Sequence, residues 1–313
     1  MSCPDPRIVF VIPYFGSWPL WMPFFLESCR RNKNIDWLLF SDCGTPENLP
    51  ANVKITPISF KGYCQFVSKR LGIDFAPVAT YKLCDIKPAL GYIHAGDIEG
   101  YDFWAFGDID LVYGDLRAYF TAARLSRFDV LSTHERRISG HLCLLRNIVS
   151  TRELFMKVDN WQQRFTDKKH RSFDEKAFSR IFIKRKNFPK LLFNLLGKLN
   201  PWKRRSEFSE AFSTPGGSIK WHDGSDGFPR RWYWRDGCLT NDRDGDRSFP
   251  YFHFWCWKGA RWPNFRESAP QYIRRLVNEA DWVIDNTGFS SGVNKSSLYH
   301  ESPEQLEKTA ITI

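Results

Sequence analysis

Arg7-Ile8-Val9-Phe10-Val11-Ile12-Pro13-Tyr14-Phe15-Gly16 is an unbroken apolar run closed by aromatics, a proline and a glycine. β-Branched residues without polar interruption predict a strand buried on both faces, as in a parallel sheet, followed by a loop free for function. Leu20 to Arg31 predicts a helix with Phe24, Phe25 and Cys29 on one face. Ile35 to Asp42 predicts a second strand and Val53 to Thr56 a short third. Such alternation over about the first 120 residues predicts an α/β fold, a Rossmann-type sheet flanked by helices.

Tyr81 to Tyr92 reads as helix, break, helix around Lys87-Pro88. That arrangement either turns Lys82, Asp85 and Lys87 toward one pocket or leaves them on a solvated helix face. Asp129 to Thr133 and Ile138 to Asn147 predict two more strands, the second opening on Ser139-Gly140, where backbone can approach a ligand closely. Ser172 to Phe178 predicts a helix start with Asp174 and Glu175 in the first turn, where the dipole favours carboxylates.

The run Tyr101-Asp102-Phe103-Trp104-Ala105-Phe106-Gly107-Asp108-Ile109-Asp110-Leu111-Val112-Tyr113-Gly114-Asp115 carries the sharpest chemical signal. A strand alternates its faces with period two, so Asp108 and Asp110 can share a side at the end of an apolar strand. Two adjacent carboxylates repel unless a cation lies between them, and hard oxygens suit Mg²⁺ or Mn²⁺.

Beyond residue 183 the composition shifts. Lys184-Arg185-Lys186 and Lys203-Arg204-Arg205 bracket an apolar segment with Leu191, Leu192, Phe193, Leu195, Leu196 and Leu199. An apolar helix between basic clusters, with Trp202 at its edge, predicts a segment lying on anionic headgroups over residues 184–205; a docked inserted helix is the other reading. Trp221 to Arg247 reads as irregular, aromatic-rich hairpins and loops, and Asp242, Asp244 and Asp246 as a turn rather than a calcium loop, because the closing glutamate is missing. Phe249 to Gly259 sets His253 among aromatics, the usual setting of a core histidine, and then places Lys258-Gly259 where a cation and a flexible backbone could close over a phosphate.

Composition narrows the partners. The net charge of +10 asks for an anionic partner: a nucleoside diphosphate, a phospholipid surface or nucleic acid. No zinc-finger spacing, helix-turn-helix or RNA-binding aromatic signature supports the last, so no nucleic acid partner is expected. The aromatic share of 16% suits sugar faces, a large core or a lipid surface. Eight scattered cysteines without a CxxC pair predict reduced thiols. With no signal peptide and no run of about 18 apolar residues, a cytoplasmic protein peripheral on the inner membrane face is expected. The glycine-rich dinucleotide fingerprint is missing after the first strand, which argues against an NAD enzyme.

Taken in order, Ile12-Pro13-Tyr14-Phe15, Lys87-Pro88, Asp108-Ile109-Asp110, Asp174-Glu175 and His253 with Lys258-Gly259 resemble the GT-A glycosyltransferases, closest to those of bacterial cell-surface polysaccharide synthesis. The resemblance spans most of Arg7 to Gly259. It implies one catalytic domain over residues 1–290, with a nucleotide-sugar half (about 1–120), an acceptor half (about 121–290) and an insertion (about 183–208), then a polar tail from 291 to 313. By this resemblance Pro13, Tyr14, Phe15 and Asp42 hold base and ribose, and Asp108, Asp110 and His253 bind Mn²⁺ or Mg²⁺. Lys258 serves the diphosphate, and Asp174 or Glu175 is the base of an inverting hexosyl transfer; Lys82 and Lys87 are donor-binding candidates from their own segment, as cations that either meet a diphosphate or hold Asp85 in place. The donor is then a nucleotide-diphosphate sugar and the acceptor a glycan or lipid-linked glycan. The chain departs from the family's His-x-x-Gly-x-x-Lys spacing, since Gly259 follows Lys258. A non-catalytic glycan- or membrane-binding protein and a nucleotidyltransferase are the competing classes.

Overall fold

The computed structural model describes residues 5–183, 195, 197, 199–215, 219–258, 262 and 270–292. Its main sheet begins with β1 (Ile8–Pro13), β2 (Ile35–Ser41) and β3 (Val53–Pro57), joined through helix α1 (Met22–Arg31). Helix α2 (Phe60–Leu71) follows, started by the Ser59 hydroxyl accepting from the Gly62 amide and stopped by Gly72 in the left-handed region. Then come β4 (Phe103–Gly107), β5 (Leu111–Tyr113), β6 (Val130–Ser132), β7 (Leu142–Arg146) and β8 (Ser206–Phe208).

Seven strands form one mixed sheet in the order β3-β2-β1-β4-β7-β6-β8. The four at the β3 end run parallel; β7 is antiparallel to both β4 and β6. Alternate residues of β1 explain its unbroken apolarity. Val9 and Val11 enter the core under α2, with Tyr63 and Val67, while Ile8, Phe10 and Ile12 enter the opposite core under α1, with Phe25 and Cys29. Both faces are covered, so neither can be polar.

The aromatic-rich C-terminal part is more ordered than its sequence suggests. β9 (Trp232–Arg235) and β10 (Cys238–Asn241) make a hairpin; β11 (Tyr251–His253) follows; β12 (Asp281–Asp285) and β13 (Gly288–Ser291) make another hairpin. β9, β10, β12 and β13 form a four-stranded sheet in the order β10-β9-β12-β13. Its third core stacks Trp234 on Trp282 at 3.9 Å and buries Phe24 of α1. A helix, Pro270–Glu279, packs on this sheet through Ile273 and Leu276.

One departure from the main sheet positions the site. β4 ends at Gly107, and the chain kinks through Asp108-Ile109-Asp110 before β5 leaves to pair with β11. Ile109 is buried in the α1-side core, so the two flanking aspartates are turned away from it. Pairing of His253 with Leu111 brings the imidazole back beside Asp110.

The seven described cysteines are free thiols, with Cys29, Cys64 and Cys143 buried. Among the described residues no helix is long and apolar enough to cross a membrane. Lys184, Arg185, Lys186, Leu191, Leu192, Phe193 and Leu196 lie outside the described residues, as does the tail from residue 293.

Candidate active site

Asp108, Asp110 and His253 converge, with one ligand atom from each lying within 4.8 Å of the others. Two carboxylates and an imidazole are a donor set that fits Mn²⁺ or Mg²⁺, and their convergence from separate strands is what a bound divalent ion requires. His253 Nε2 stands 3.5 Å from Asp110 Oδ2, and Lys258 Nζ makes an ion pair with the same oxygen. Burial alone would raise the Asp110 carboxyl, but His253 and Lys258 hold it well below the usual carboxylate range. It is therefore an anion at any working pH.

On the other side, Lys87 Nζ donates to Asp108 Oδ1 at 2.5 Å and to the Gly140 carbonyl at 2.8 Å. Its side chain is 9% exposed. Burial works against its charge, yet the Asp108 carboxylate holds it above the ordinary lysine value. Lys87 thus ties the acidic kink to the segment before β7.

That same Gly140 makes room for Asp174. A β-carbon at position 140 would stand 2.7 Å from Asp174 Oδ2 and 3.2 Å from Glu175 Oε1. Asp174 is 4% exposed, and burial pushes its carboxyl up to about 7, with Lys87 opposing. The local backbone differs from the expected helix start. Ser172 is left-handed (φ 50°), Phe173–Ala177 is a single π-turn, and it runs on into a 3₁₀ turn. Asp174 is therefore not a capping residue; the wide turn sets a buried carboxylate beside Gly140. Glu175 instead reaches Arg137 at 3.3 Å.

Two imidazoles close the back. The His141 ring stacks on His253 at 4.2 Å, and its Nε2 lies 2.8 Å from the Tyr251 hydroxyl. Tyr251 donates to Thr133 Oγ1 at 2.9 Å, and Thr133 donates to the Leu142 carbonyl. Burial, then the charges of His253 and Lys87, keep His141 well below the ordinary histidine pKa. A neutral ring that must donate into this chain carries its proton on Nε2, leaving Nδ1 an acceptor.

The loop after β1 forms the remaining wall. Gly16, at φ +112°, turns its amide onto Asp42 Oδ1 at 2.8 Å, a conformation that a side chain would strain. Tyr14 stacks on Trp18 at 5.4 Å and 9°, and Trp18 Nε1 donates to the Gly44 carbonyl. Burial and the nearby Cys43 and Asp110 raise the Tyr14 phenol, which puts this aromatic pair within electrostatic range of the acidic kink. Pro13 ends β1 beside Phe40 of β2.

Two expected donor residues sit elsewhere. Phe15 is buried against Phe60 and Tyr63, at 5.3 and 5.2 Å, and belongs to the core rather than to a base-binding surface. Lys82 spends its three protons on Asp85 and on the carbonyls of Arg164 and Lys169. Asp85 in turn accepts from the Arg171 and Phe173 amides. The pair is a buried strut under the Asp174 turn, with no proton left for a diphosphate. Trp18, Gly140, His141 and Arg137 are cleft residues that sequence reasoning did not assign; Ser139-Gly140 alone had left a signal. Asp242 and Asp244 are occupied as turn residues, accepting from the Arg230 amide and from His222.

An α/β protein in which the kink after β4, strand β11 and the segments bearing Lys87 and Lys258 bring two aspartates, a histidine and two lysines together is the class defined so far. Residues 10–273 match the model described as "Family of unknown function (DUF6625)", and the chain belongs to that family. No curated protein matches it. Among solved structures, the galactosyltransferase LgtC in complex with donor and acceptor sugar analogs is similar at TM-score 0.42 and 9% identity, over 87% of this chain and 96% of that one. Mouse xyloside xylosyltransferase 1, apo form, is similar at TM-score 0.39 and 11% identity, over 70% of this chain and 90% of that one. These overlaps are shallow, and the functional case rests on the cleft itself.

Proposed function

We propose that the chain is a metal-dependent glycosyltransferase of GT-A type, moving a hexose from a nucleotide-diphosphate sugar to a glycan or lipid-linked glycan in cell-surface polysaccharide synthesis. The observation that carries this reading is the convergence of Asp108, Asp110 and His253, with Lys258 on Asp110. Charge-compensated carboxylates beside a buried carboxylate whose pKa is raised to about 7 support a catalytic reading over a binding module.

Each residue takes a role from its surroundings. Asp108, Asp110 and His253 would hold Mn²⁺ or Mg²⁺, which when bound supplies Lewis-acid stabilisation of the departing diphosphate. Lys258 is the more exposed of the two cleft lysines and serves the diphosphate directly, while Lys87 orients Asp108. Tyr14 with Trp18, Pro13 and the Asp42–Gly16 contact offers a flat aromatic and hydrogen-bonding surface to base and ribose. Asp174 takes the acceptor hydroxyl proton at Oδ2 in an inverting displacement, since a base titrating near 7 is ionised yet basic enough at neutral pH. Leu195 (53% exposed) and Leu199 (81% exposed), with exposed Arg204 beside them, support a face resting on the inner membrane surface.

The test is a panel of nucleotide sugars with and without Mn²⁺, read as thermal stabilisation and donor hydrolysis. A true donor at about 100 times its dissociation constant should stabilise the fold by about 2.7 kcal/mol. Asp110→Asn should remove both the metal-dependent shift and hydrolysis. Metal-independent hydrolysis by both proteins would refute the proposal.

A further inference from the structure

Next to the cleft lies a cavity of about 50 Å³ lined by His134, Arg137, His141, Glu210, Phe212 and Phe228, with Thr214 and Ile219 at its wall. It adjoins the site at three points. His141 stacks on His253; Thr214 Oγ1 lies 3.4 Å from His253 Nδ1; and Arg137 pairs with Glu175.

The cavity holds unmet polar demand. Glu210 Oε1 accepts from the Phe212 amide at 3.2 Å and the Glu135 amide adds to the carboxylate's support, but Oε2 makes no hydrogen bond of good geometry, nor does buried Arg137 Nε. The His134 ring stands 3.9 Å from Oε2 through Nδ1, and that nitrogen accepts from the Arg136 amide at 3.1 Å, so it has no proton to give Oε2. Burial raises the Glu210 carboxyl, so the group gains from a hydroxyl donor. A buried acceptor and a buried donor left open on one cavity lining are costly unless something fills them. Phe212 is held at φ 52°, where a bulky residue is rare, and its ring lines the cavity, as does that of Phe228.

We infer that this cavity is the acceptor subsite and takes the hydroxyl edge of one neutral hexopyranose ring, with Glu210 and Arg137 hydrogen-bonding its hydroxyls and Phe212 and Phe228 meeting its apolar face. This deepens the glycosyltransferase reading and rests on it. Size and charge select the ligand class. At about 10–15 Å³ per buried water, the space holds roughly three to five waters, or a few hydroxyls, not a whole chain. Arg137 is paired with Glu175, and Glu210 adds a further carboxylate, so the described lining residues do not favour a carboxylate or phosphate sugar.

Saturation-transfer NMR on the full chain, with methyl α- and β-hexopyranosides and with N-acetylneuraminic acid, tests the subsite without any donor. At least one neutral hexopyranoside should receive saturation, and N-acetylneuraminic acid should receive less. Glu210→Gln retains the carbonyl that the Phe212 amide needs and should weaken binding about tenfold, the scale of losing a buried hydrogen-bonding group. Phe228→Leu, which retains bulk, should weaken it as well. Thermal stabilisation by UDP or GDP with Mn²⁺ reports the parent reading separately: it should vanish in Asp110→Asn and persist in Glu210→Gln. No neutral hexoside binding, binding unchanged in both cavity variants, or preference for the anionic sugar each overturns the subsite. Loss of the nucleotide shift in wild type alone overturns the enzyme reading instead.

Discussion

Asp174 is the residue on which stability and activity pull apart. Its folded pKa of about 7 lies above the ordinary carboxylate value, so the folded state holds a proton that the unfolded chain releases. The resulting penalty is absent below pH about 4, grows as pH rises toward 7, and is constant above it; its ceiling is on the order of 4 kcal/mol. Asp174→Asn should therefore raise the melting temperature by several degrees at pH 8 and hardly at all at pH 4, as calorimetry at the two pH values would read. The same variant should lose transfer by roughly 10²–10⁴-fold. Glu175→Gln, which gives up only the Arg137 pair, should lose far less. Transfer by the wild type should rise through pH 7 as Asp174 ionises, and a profile flat across that range would remove it from the role of base. Asp110 has the opposite sign: its depressed pKa contributes stability above pH about 4 that is lost on acidification.

At the scale of elements, the site depends on how tightly β5 and β11 meet. Gly114, just after β5, donates its amide to the Pro250 carbonyl at 2.9 Å, and a β-carbon there would stand 2.2 Å from the Phe249 carbonyl. Backbone cannot yield as a side chain can, so Gly114→Ala must push the strands apart and carry His253 off Asp110. A loss of about 1–3 kcal/mol is expected from such overpacking. Urea melts would measure it, and weaker Mn²⁺ protection should accompany it. Gly140→Ala acts within the cleft: the added methyl meets Asp174 Oδ2 and Glu175. Transfer should fall while Mn²⁺ binding persists. Equal loss of both would mean that the π-turn and the metal cluster move as one body.

At the scale of the molecule, the +10 charge and the exposed leucines argue for a surface partner. Arg205 is not free to serve it. It pairs with Asp129 and lies over Trp202, while Lys203 sits over Phe208. Among the described residues Leu195, Leu199 and Arg204 are exposed, and the informative variant is Leu199→Ser with Arg204→Glu. Wild type should pellet with anionic vesicles and release in high salt, each cation contributing up to about 1 kcal/mol before screening. The double variant should stay largely in solution. Equal sedimentation of the two would leave the segment a docked insertion.

Local pattern was enough for β1, α1, β2 and β3, because burial on both faces or one face writes itself into a run of a few residues. It was enough for Asp108-Ile109-Asp110 too, since like charges flanking a buried Ile109 are costly without a cation. Whether His253 belonged with them was not legible, as its spacing to Lys258 departs from the expected pattern and a histidine among aromatics reads as core. Antiparallel pairing of β11 with β5, across more than a hundred residues, decided it. The Asp174 carboxylate was visible as a charge near a turn, but its raised pKa comes first from burial beside Gly140, which no local run of sequence records. Lys82 and Lys87 look alike along the chain; one is consumed by Asp85 and two carbonyls, the other faces the cleft. The Glu210–Arg137 cavity left no trace, because unmet hydrogen bonds belong to the assembled surface and not to any segment of it. Period and polarity of short runs are local properties and survive in the sequence; which charges meet, and what solvent they lose, exist only once distant segments are brought together.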